Sequence, residues 1–238
     1  MAVARMAARL LALSSLQAGL VCASGLDELG AVSSGSVRLI LVRHGQAYSN
    51  LDPAPPLPPD QLDRLTDLGH AQSRQAAMVL RGRGPSVVLS SPASRARETA
   101  QEIGTLLNAP VQVEPRLRPL DLGRSPSGKP LDWDQRIAEW KAGRDPVPSG
   151  GESLEQLGQR VAGLVTSLQR DHAGKTVVLV AHSEVIGAYV GLLQGKPGAR
   201  SYPPRVAHGS LTVVDAAGAG SARVLLSNHV PISSSPAP

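Results

Sequence analysis

Short, almost continuously apolar runs alternate with longer amphipathic segments along most of this 238-residue chain. The runs VRLILVR (37–43), SVVLS (86–90) and TVVLVAH (176–182) lack the polar alternation of a strand with one solvated face. A segment of helical pattern follows each run. Strands buried on both faces and separated by helices predict an α/β fold, a three-layer α/β/α sandwich with a mostly parallel central sheet.

Capping residues predict where the helices begin. Thr66 is expected as one N-cap, and Ser91 as another, with Pro92 at the first helical position. Ser153 and Gln156 have the spacing of a capping box. A further helix is expected from about Glu184.

The remaining segments complete the predicted layout. VQVEP (111–115) is a brief strand candidate, and GSLTVVDA (209–216) and SARVLLSNHV (221–230) are predicted as two final strands. Residues 115–150 are expected to be irregular because Pro, Gly and charged residues dominate there. The Pro-dense residues 51–64 are expected to form a surface loop.

The N-terminal 35 residues are interpreted as an extension to a single domain over residues 36–230, with a disordered tail at 231–238. Arg5 and Arg9 precede an apolar run, and small residues around Ala23 would suit cleavage. Residues 1–23 are therefore either an export or organelle targeting segment or an untargeted tail. The untargeted alternative, with a cytoplasmic protein, is favoured.

Composition excludes several kinds of partner. Aromatic residues make up 2% of the chain and Phe is absent, which argues against a stacking surface for nucleic acid. No stretch approaches the roughly 20 apolar residues of a membrane span. The net charge of +5 favours anionic partners. One Cys and scattered His predict neither a disulfide framework nor a metal site.

Charged and imidazole side chains follow three of the predicted strands. Arg43 and His44 end the first strand, Arg95 lies in the helix after the second, and His182 ends the third. Ligands of open α/β sheets gather at the carboxyl ends of the strands. If the three strands are parallel neighbours, the four side chains converge there. Separately, each would be an ordinary loop or surface residue.

This set of residues suits a phosphoryl group. Guanidinium groups match phosphate oxygens with forked donors, and a helix N-terminus adds backbone N–H groups. A neutral imidazole can attack phosphorus and form a phosphohistidine, while a second one stabilises the spreading charge. The chain has no Gly-rich phosphate loop and no carboxylate cluster, so no metal or cofactor is predicted.

Five stretches of sequence resemble the histidine phosphatase (phosphoglycerate-mutase-like) superfamily. LVRHGQAYSN resembles its R-H-G-x-x-x-x-N signature, and the later motifs follow in the family's order as LTDLGHAQ, LSSPASRARETA, PSGGESLEQLGQRV and VVLVAHSEVI. The resemblance implies that His44 is phosphorylated without a metal, and that Arg43, Asn50, Arg95 and His182 hold the phosphoryl group. It also makes Gly45 and Ser183 candidates for substrate binding.

The usual proton donor of the family is missing. In the segment LRPLDLG, Pro119 stands where many members carry a Glu that protonates the leaving alkoxide. Asp121 is the favoured substitute, although a turn-forming role explains it equally well. Glu152 and Glu184 are further candidates. Ser183 and Glu184 also add bulk and negative charge beside the phosphate site, unless both point away.

The favoured function is a phosphatase acting on small phosphomonoesters. The alternatives are a phosphoglycerate mutase and a phosphate-binding regulatory module that has lost turnover. Specificity is expected from residues 115–150 and from the loop at 52–59. Four basic residues of the first segment indicate either a second anionic group on the substrate or solvated loop charges: Arg116, Arg118, Arg124 and Lys129. The sequence makes no prediction of oligomeric state.

Overall fold

A computed structural model of the chain describes residues 25–204, 206–218 and 221–231. The strands are β1 (Ser36–Arg43), β2 (Val87–Ser90), β3 (Val111–Val113), β4 (Thr176–Ala181), β5 (Leu211–Ala217) and β6 (Ala222–His229). The helices are α1 (Pro59–Leu62), α2 (Asp67–Val79), α3 (Ser94–Leu107), α4 (Trp133–Lys141), α5 (Leu154–Asp171) and α6 (Ser183–Leu193).

Six strands of the described residues form one sheet, in the order β3-β2-β4-β1-β5-β6. The first four in that order are parallel, and β5 and β6 are antiparallel additions at one edge. The predicted strands 37–43, 86–90 and 176–182 correspond to β1, β2 and β4, which are direct neighbours in the sheet. The prediction of a mostly parallel sheet is therefore confirmed.

Helices cover both faces of the sheet. Leu39 and Leu41 of β1 point into one buried cluster, with α5 and α6, and Ile40 and Val42 point into a second, with α2 and α3. Because successive side chains of a strand point to opposite faces, one apolar strand supplies both clusters. The three-layer α/β/α prediction is confirmed.

The helix boundaries confirm two of the predicted caps and correct one. Thr66 accepts a hydrogen bond from the Gly69 amide, and the capping box of Ser153 and Gln156 is formed. Ser91 is not an N-cap, because α3 begins three residues later, at Ser94. The Ser91 hydroxyl is instead available to the site described below.

Residues 115–150 are not wholly irregular, since they contain α4. Asp132 caps this helix and forms a capping box with Gln135, a spacing that is visible in the sequence. The Pro and Gly residues on either side of the segment conceal this signal. As a result, the prediction missed nine helical residues.

The packed part of the described chain begins before residue 36. Leu26 is buried in the cluster that contains α2 and α3, and the Gly30 carbonyl accepts a hydrogen bond from Arg38. The predicted targeting segment and most of the predicted tail lie outside the described residues. Within the described ranges, no helix combines the length and apolar character needed to cross a membrane.

Candidate active site

The carboxyl ends of β1 and β4 lie side by side because these strands pair in parallel. Arg43 is in register with Ala181, and the His44 amide donates a hydrogen bond to the Ala181 carbonyl at 3.0 Å. The rings of His44 and His182 consequently lie 5.1 Å apart, centre to centre. Both rings are almost fully buried. The predicted convergence of the strand ends is present in the structure.

Arg95 bridges the two imidazoles. Its Nε donates to Nε2 of His44 at 3.2 Å, and its second terminal nitrogen donates to Nδ1 of His182 at 3.1 Å. The remaining terminal nitrogen pairs with Asp63. Arg95 lies at the second position of α3, so its backbone is fixed at the helix start next to β2.

These contacts define the tautomers of both rings, because a guanidinium only donates hydrogen bonds. Nδ1–H of His44 donates to the Gly45 carbonyl at 2.7 Å, which leaves a lone pair on Nε2 facing Arg95. His182 is held in the opposite way: Nδ1 accepts from Arg95, and Nε2–H donates to the Ser91 hydroxyl at 2.8 Å. His44 thus presents Nε2 as a nucleophilic atom.

Electrostatics keep both rings neutral. Burial, reinforced by the nearby His182 and Arg95, holds the pKa of His44 well below its ordinary value of 6.5. Burial, together with Arg95 and Arg43, does the same to the pKa of His182. A neutral imidazole is the form that can attack phosphorus.

Arg43 supplies a second guanidinium with unused donor capacity. One terminal nitrogen donates to the Val206 carbonyl at 2.7 Å, whereas Nε is buried and has no partner among the described residues. Burial lowers the pKa of Arg43, and the nearby carboxylate of Glu184 opposes that shift. An unpaired buried donor on a cation is costly unless an acceptor reaches it, so this geometry favours an anionic ligand.

The two histidines and the two arginines line a cavity of about 630 Å³. Asn50, Ser183 and Glu184 also line it, as do residues of α4, α6 and the segment before β5. Asn50 and Ser183 thus lie where the sequence predicted substrate-binding residues. The α4 part of residues 115–150 reaches the cavity, as expected for a specificity segment. Among the described residues, no group of three or more potential ligands is arranged for a metal ion.

Two predicted site residues are not brought into the cavity. Asp121 is exposed, and its carboxylate accepts a hydrogen bond from the Gly123 amide at 3.1 Å, as in a turn. Gly45 packs against α2, and its amide donates to the Thr99 hydroxyl. Gly45 therefore permits close packing beneath the site, and Asp121 shapes a loop outside it. Both expectations are corrected.

The basic residues of the segment 115–150 are also directed elsewhere. Arg116 pairs with Glu114, Arg118 faces Glu152, and Arg124 donates to a carbonyl of its own turn. None of these residues lines the cavity, and neither do Lys129 or residues 52–59. Glu152 forms an ion pair with Arg160 and so is not placed as a proton donor.

Sequence reasoning missed two residues of the site. The ring of His208 lies 5.6 Å from that of His44, and its Nε2 donates to the Asn50 side-chain oxygen at 3.1 Å. Asp63 anchors Arg95 and accepts a hydrogen bond from the Ser94 amide. His208 precedes β5, which is antiparallel to β1, and so reaches the same edge of the sheet from the opposite direction. Asp63 lies in the Pro-dense segment and carries no motif.

The fold and the site together define an α/β protein with two guanidiniums and two neutral imidazoles gathered at the carboxyl ends of parallel strands, an arrangement suited to an anion. Comparison with known proteins agrees with that class. The sequence model of the histidine phosphatase superfamily (branch 1) matches residues 39–229. The chain belongs to this superfamily, as its motifs predicted.

Among its relatives is a glucosyl-3-phosphoglycerate phosphatase of Mycolicibacterium vanbaalenii. The two are 36% identical over 173 residues, which cover 67% of this chain and 75% of the relative. A probable phosphoglycerate mutase of Yersinia pestis is 28% identical over 187 residues, covering 75% and 85% of the two chains.

Solved structures give the same relationship. A mycobacterial glucosyl-3-phosphoglycerate phosphatase complexed with VO3 aligns with a TM-score of 0.64 and 29% identity, covering 80% of this chain and 98% of that one. A putative α-ribazole-5′-P phosphatase of Escherichia coli aligns with a TM-score of 0.60 and 26% identity, covering 83% and 99%. The fold prediction and the prediction of an enzyme of this superfamily are confirmed.

Proposed function

We propose that the protein hydrolyses small phosphomonoesters through a phosphohistidine on His44, with no metal ion. One observation carries the assignment: a buried, neutral His44 holds its Nε2 lone pair in a pocket formed by Arg43, Arg95 and His182. The phosphatase names of the relatives support the same conclusion.

In the first step, the phosphoryl oxygens occupy the donors of Arg43 and Arg95. Arg95 moves its Nε from His44 to a phosphate oxygen and frees Nε2 for attack. The N–P bond forms as the P–O bond to the alcohol breaks, and the two guanidiniums and His182 stabilise the equatorial oxygens. In the second step, water attacks the phosphohistidine, releases inorganic phosphate and restores the neutral imidazole.

Glu184 is assigned the proton transfer. It lines the cavity beside Ser183, whose hydroxyl donates to its carboxylate at 3.2 Å. No other Asp or Glu among the described residues lines the cavity. A carboxyl group at this position can protonate the departing alkoxide and then, as a carboxylate, take a proton from the attacking water.

The test is turnover of p-nitrophenyl phosphate in the presence of a chelator. The wild type should release phosphate, and His44→Ala should lose at least about 10³-fold in kcat, because the covalent route is removed. Enzyme mixed with labelled substrate and denatured in alkali, in which phosphohistidine is stable, should carry labelled phosphate on His44. Residual activity of His44→Ala close to that of the wild type would refute the assignment.

The other two candidate functions give different results in the same assay. A mutase would interconvert phosphoglycerate isomers with a bisphosphorylated primer and without net loss of phosphate. A binding module would gain thermal stability from phosphate and release none. Either pattern would replace the phosphatase assignment.

A further inference from the structure

Aromatic side chains are concentrated at the cavity. The chain has two Trp, three Tyr and no Phe, and both Trp133 and Trp140, with Tyr202, line this cavity. The buried clusters are mostly aliphatic, and Trp140 and Tyr189 are their only buried aromatic side chains among the described residues. Trp133 is 43% exposed and is not a core residue. Its position is better explained by contact with a ligand.

Trp133, Trp140 and Tyr202 form one wall of the cavity, called the aromatic wall below, and it is held in a fixed position. Nε1 of Trp140 donates to Asp145 at 3.2 Å, and Asp145 also accepts from the first amides of α5. The buried guanidinium of Arg136 lies 5.1 Å from the Trp140 ring centre. The ring centre of Tyr202 lies 5.3 Å from that of Trp140. The ring of Trp133 meets the Trp140 ring edge-on, with their centres 6.3 Å apart. A rigid aromatic surface binds a flat apolar face with little loss of side-chain entropy.

The positively charged side chains of the cavity lie beside His44 and His182, where the phosphoryl group is proposed to bind. Among the described lining residues, the Lys and Arg side chains are Arg43 and Arg95 alone. The described lining contributed by α4 and by residues 201–204 carries no charged side chain, and the Glu184 carboxylate lies near Arg43. Once Arg43 and Arg95 bind the phosphoryl group, a second anionic group on the substrate would have no Lys or Arg partner among the described lining residues, which is unfavourable in a partly desolvated cavity.

We infer that the substrate is a phosphomonoester whose alcohol part is an uncharged ring with an apolar face, such as a pyranose, and that acid-bearing chains are disfavoured. This inference rests on the proposed phosphatase function and adds the substrate class. A pyranose has C–H faces that can lie on Trp133 and hydroxyls at its rim that stay hydrated. The cavity of about 630 Å³ is large enough for a phosphoryl group with one such ring.

Three substrates share a primary 6-phosphate and differ in the rest of the molecule: glucose 6-phosphate has a ring, sorbitol 6-phosphate has an uncharged open chain, and 6-phosphogluconate has an open chain with a carboxylate. The leaving alcohols are alike, so kcat/KM reports recognition of the rest of the molecule. We expect kcat/KM to be about fivefold higher for glucose 6-phosphate than for sorbitol 6-phosphate, because the ring stacks on the aromatic side chains. We expect kcat/KM to be about tenfold higher for sorbitol 6-phosphate than for 6-phosphogluconate, because the latter carries the carboxylate.

Trp133→Ala should remove the advantage of the ring and leave inhibition by inorganic phosphate unchanged, whereas Trp133→Phe should restore most of that advantage. Met78→Ala removes an apolar side chain on α2 that is 55% exposed, against 43% for Trp133, and serves as the control. Equal kcat/KM on the three substrates, or equal losses on all of them in Trp133→Ala, would overturn the inference and leave the phosphatase assignment standing. Absence of turnover on these substrates and on p-nitrophenyl phosphate would instead refute the phosphatase assignment.

Discussion

Arg95 is the residue on which the geometry of the site depends. Three of its nitrogens contact His44, His182 and Asp63, so one side chain orients both imidazoles and is itself fixed by a carboxylate. The Ser91 hydroxyl completes the orientation of His182 from the other side. This network fixes the orientation of both rings, so that in the proposed reaction the lone pair of His44 becomes free when the Nε of Arg95 moves to a phosphate oxygen.

Proton transfer by Glu184 gives a prediction that depends on the leaving group. Glu184→Gln should lower kcat/KM of an alkyl phosphate by about 10²-fold, because an unprotonated alkoxide leaves slowly and kcat/KM reports the steps up to its departure. p-Nitrophenolate needs little protonation, so kcat/KM of p-nitrophenyl phosphate should change far less. Steady-state kinetics on the two esters, for the wild type and for Glu184→Gln, give the ratio of their kcat/KM values.

Asp121→Asn is the matched control for this experiment. Its carboxylate binds the Gly123 amide outside the cavity. We therefore expect it to leave the ratio of the two esters at the wild-type value. If Glu184→Gln lowered kcat/KM of both esters by the same factor, Glu184 would not be the proton donor.

The loop after β1 and the first turn of α2 are packed backbone against backbone. A Cβ on Gly69 would lie 2.1 Å from the Gln46 carbonyl oxygen, and one on Gly45 would lie 2.2 Å from the Gly69 carbonyl oxygen. Two glycines are therefore needed for α2 to support the loop that carries His44. This contact links a motif on α2 to the position of the nucleophile.

Replacing a helical glycine should have opposite effects in α2 and α5. Gly69→Ala must displace the backbone next to His44, and we expect a loss of about 1–3 kcal/mol in unfolding free energy together with reduced kcat. Gly163 is exposed in α5, and a Cβ there meets no atom of the described residues within 4 Å. Gly163→Ala should therefore raise the free energy of unfolding by about 0.5–1 kcal/mol without changing kcat.

Urea unfolding and turnover of p-nitrophenyl phosphate measure both variants. The contact would have no role in placing His44 if Gly69→Ala kept wild-type kcat. It would have no role in stability if the two alanine variants unfolded at the same urea concentration.

Elements with a strong local signal were predictable, and those set by tertiary contacts were not. The apolar runs predicted β1, β2 and β4 closely, because strands buried on both faces have few polar residues. α4 was missed although its capping box is in the sequence, since Pro and Gly surround it. Ser91 resembles an N-cap, but its hydroxyl is used by His182.

On the scale of the whole molecule, topology creates the site. Parallel pairing of β4 with both β1 and β2 brings three strand ends together, an arrangement that the sequence predicted on the condition that these strands are neighbours. Antiparallel addition of β5 brings His208 to the same edge. That addition is a long-range pairing without a local signature, so the third imidazole could not be predicted.

The three clustered imidazoles predict that the folded state loses stability in mild acid. The pKa values of His44 and His182 lie well below 6.5 in the folded protein, and burial lowers that of His208 to about 4. Below pH 6.5 the unfolded chain therefore binds protons that the folded state excludes. Stability should fall with decreasing pH from 6.5, by up to about 1.4 kcal/mol per pH unit for each histidine.

Urea unfolding between pH 7 and 5.5 tests this slope above the range in which carboxylates titrate. His208→Asn removes one of the three titrating groups, so its slope should be shallower than that of the wild type. Leu68→Ala, on the exposed side of α2, changes no titrating group and should shift the curve without altering its slope. Constant stability across this range, or a slope unchanged in His208→Asn, would show that the buried imidazoles are not held neutral by the fold.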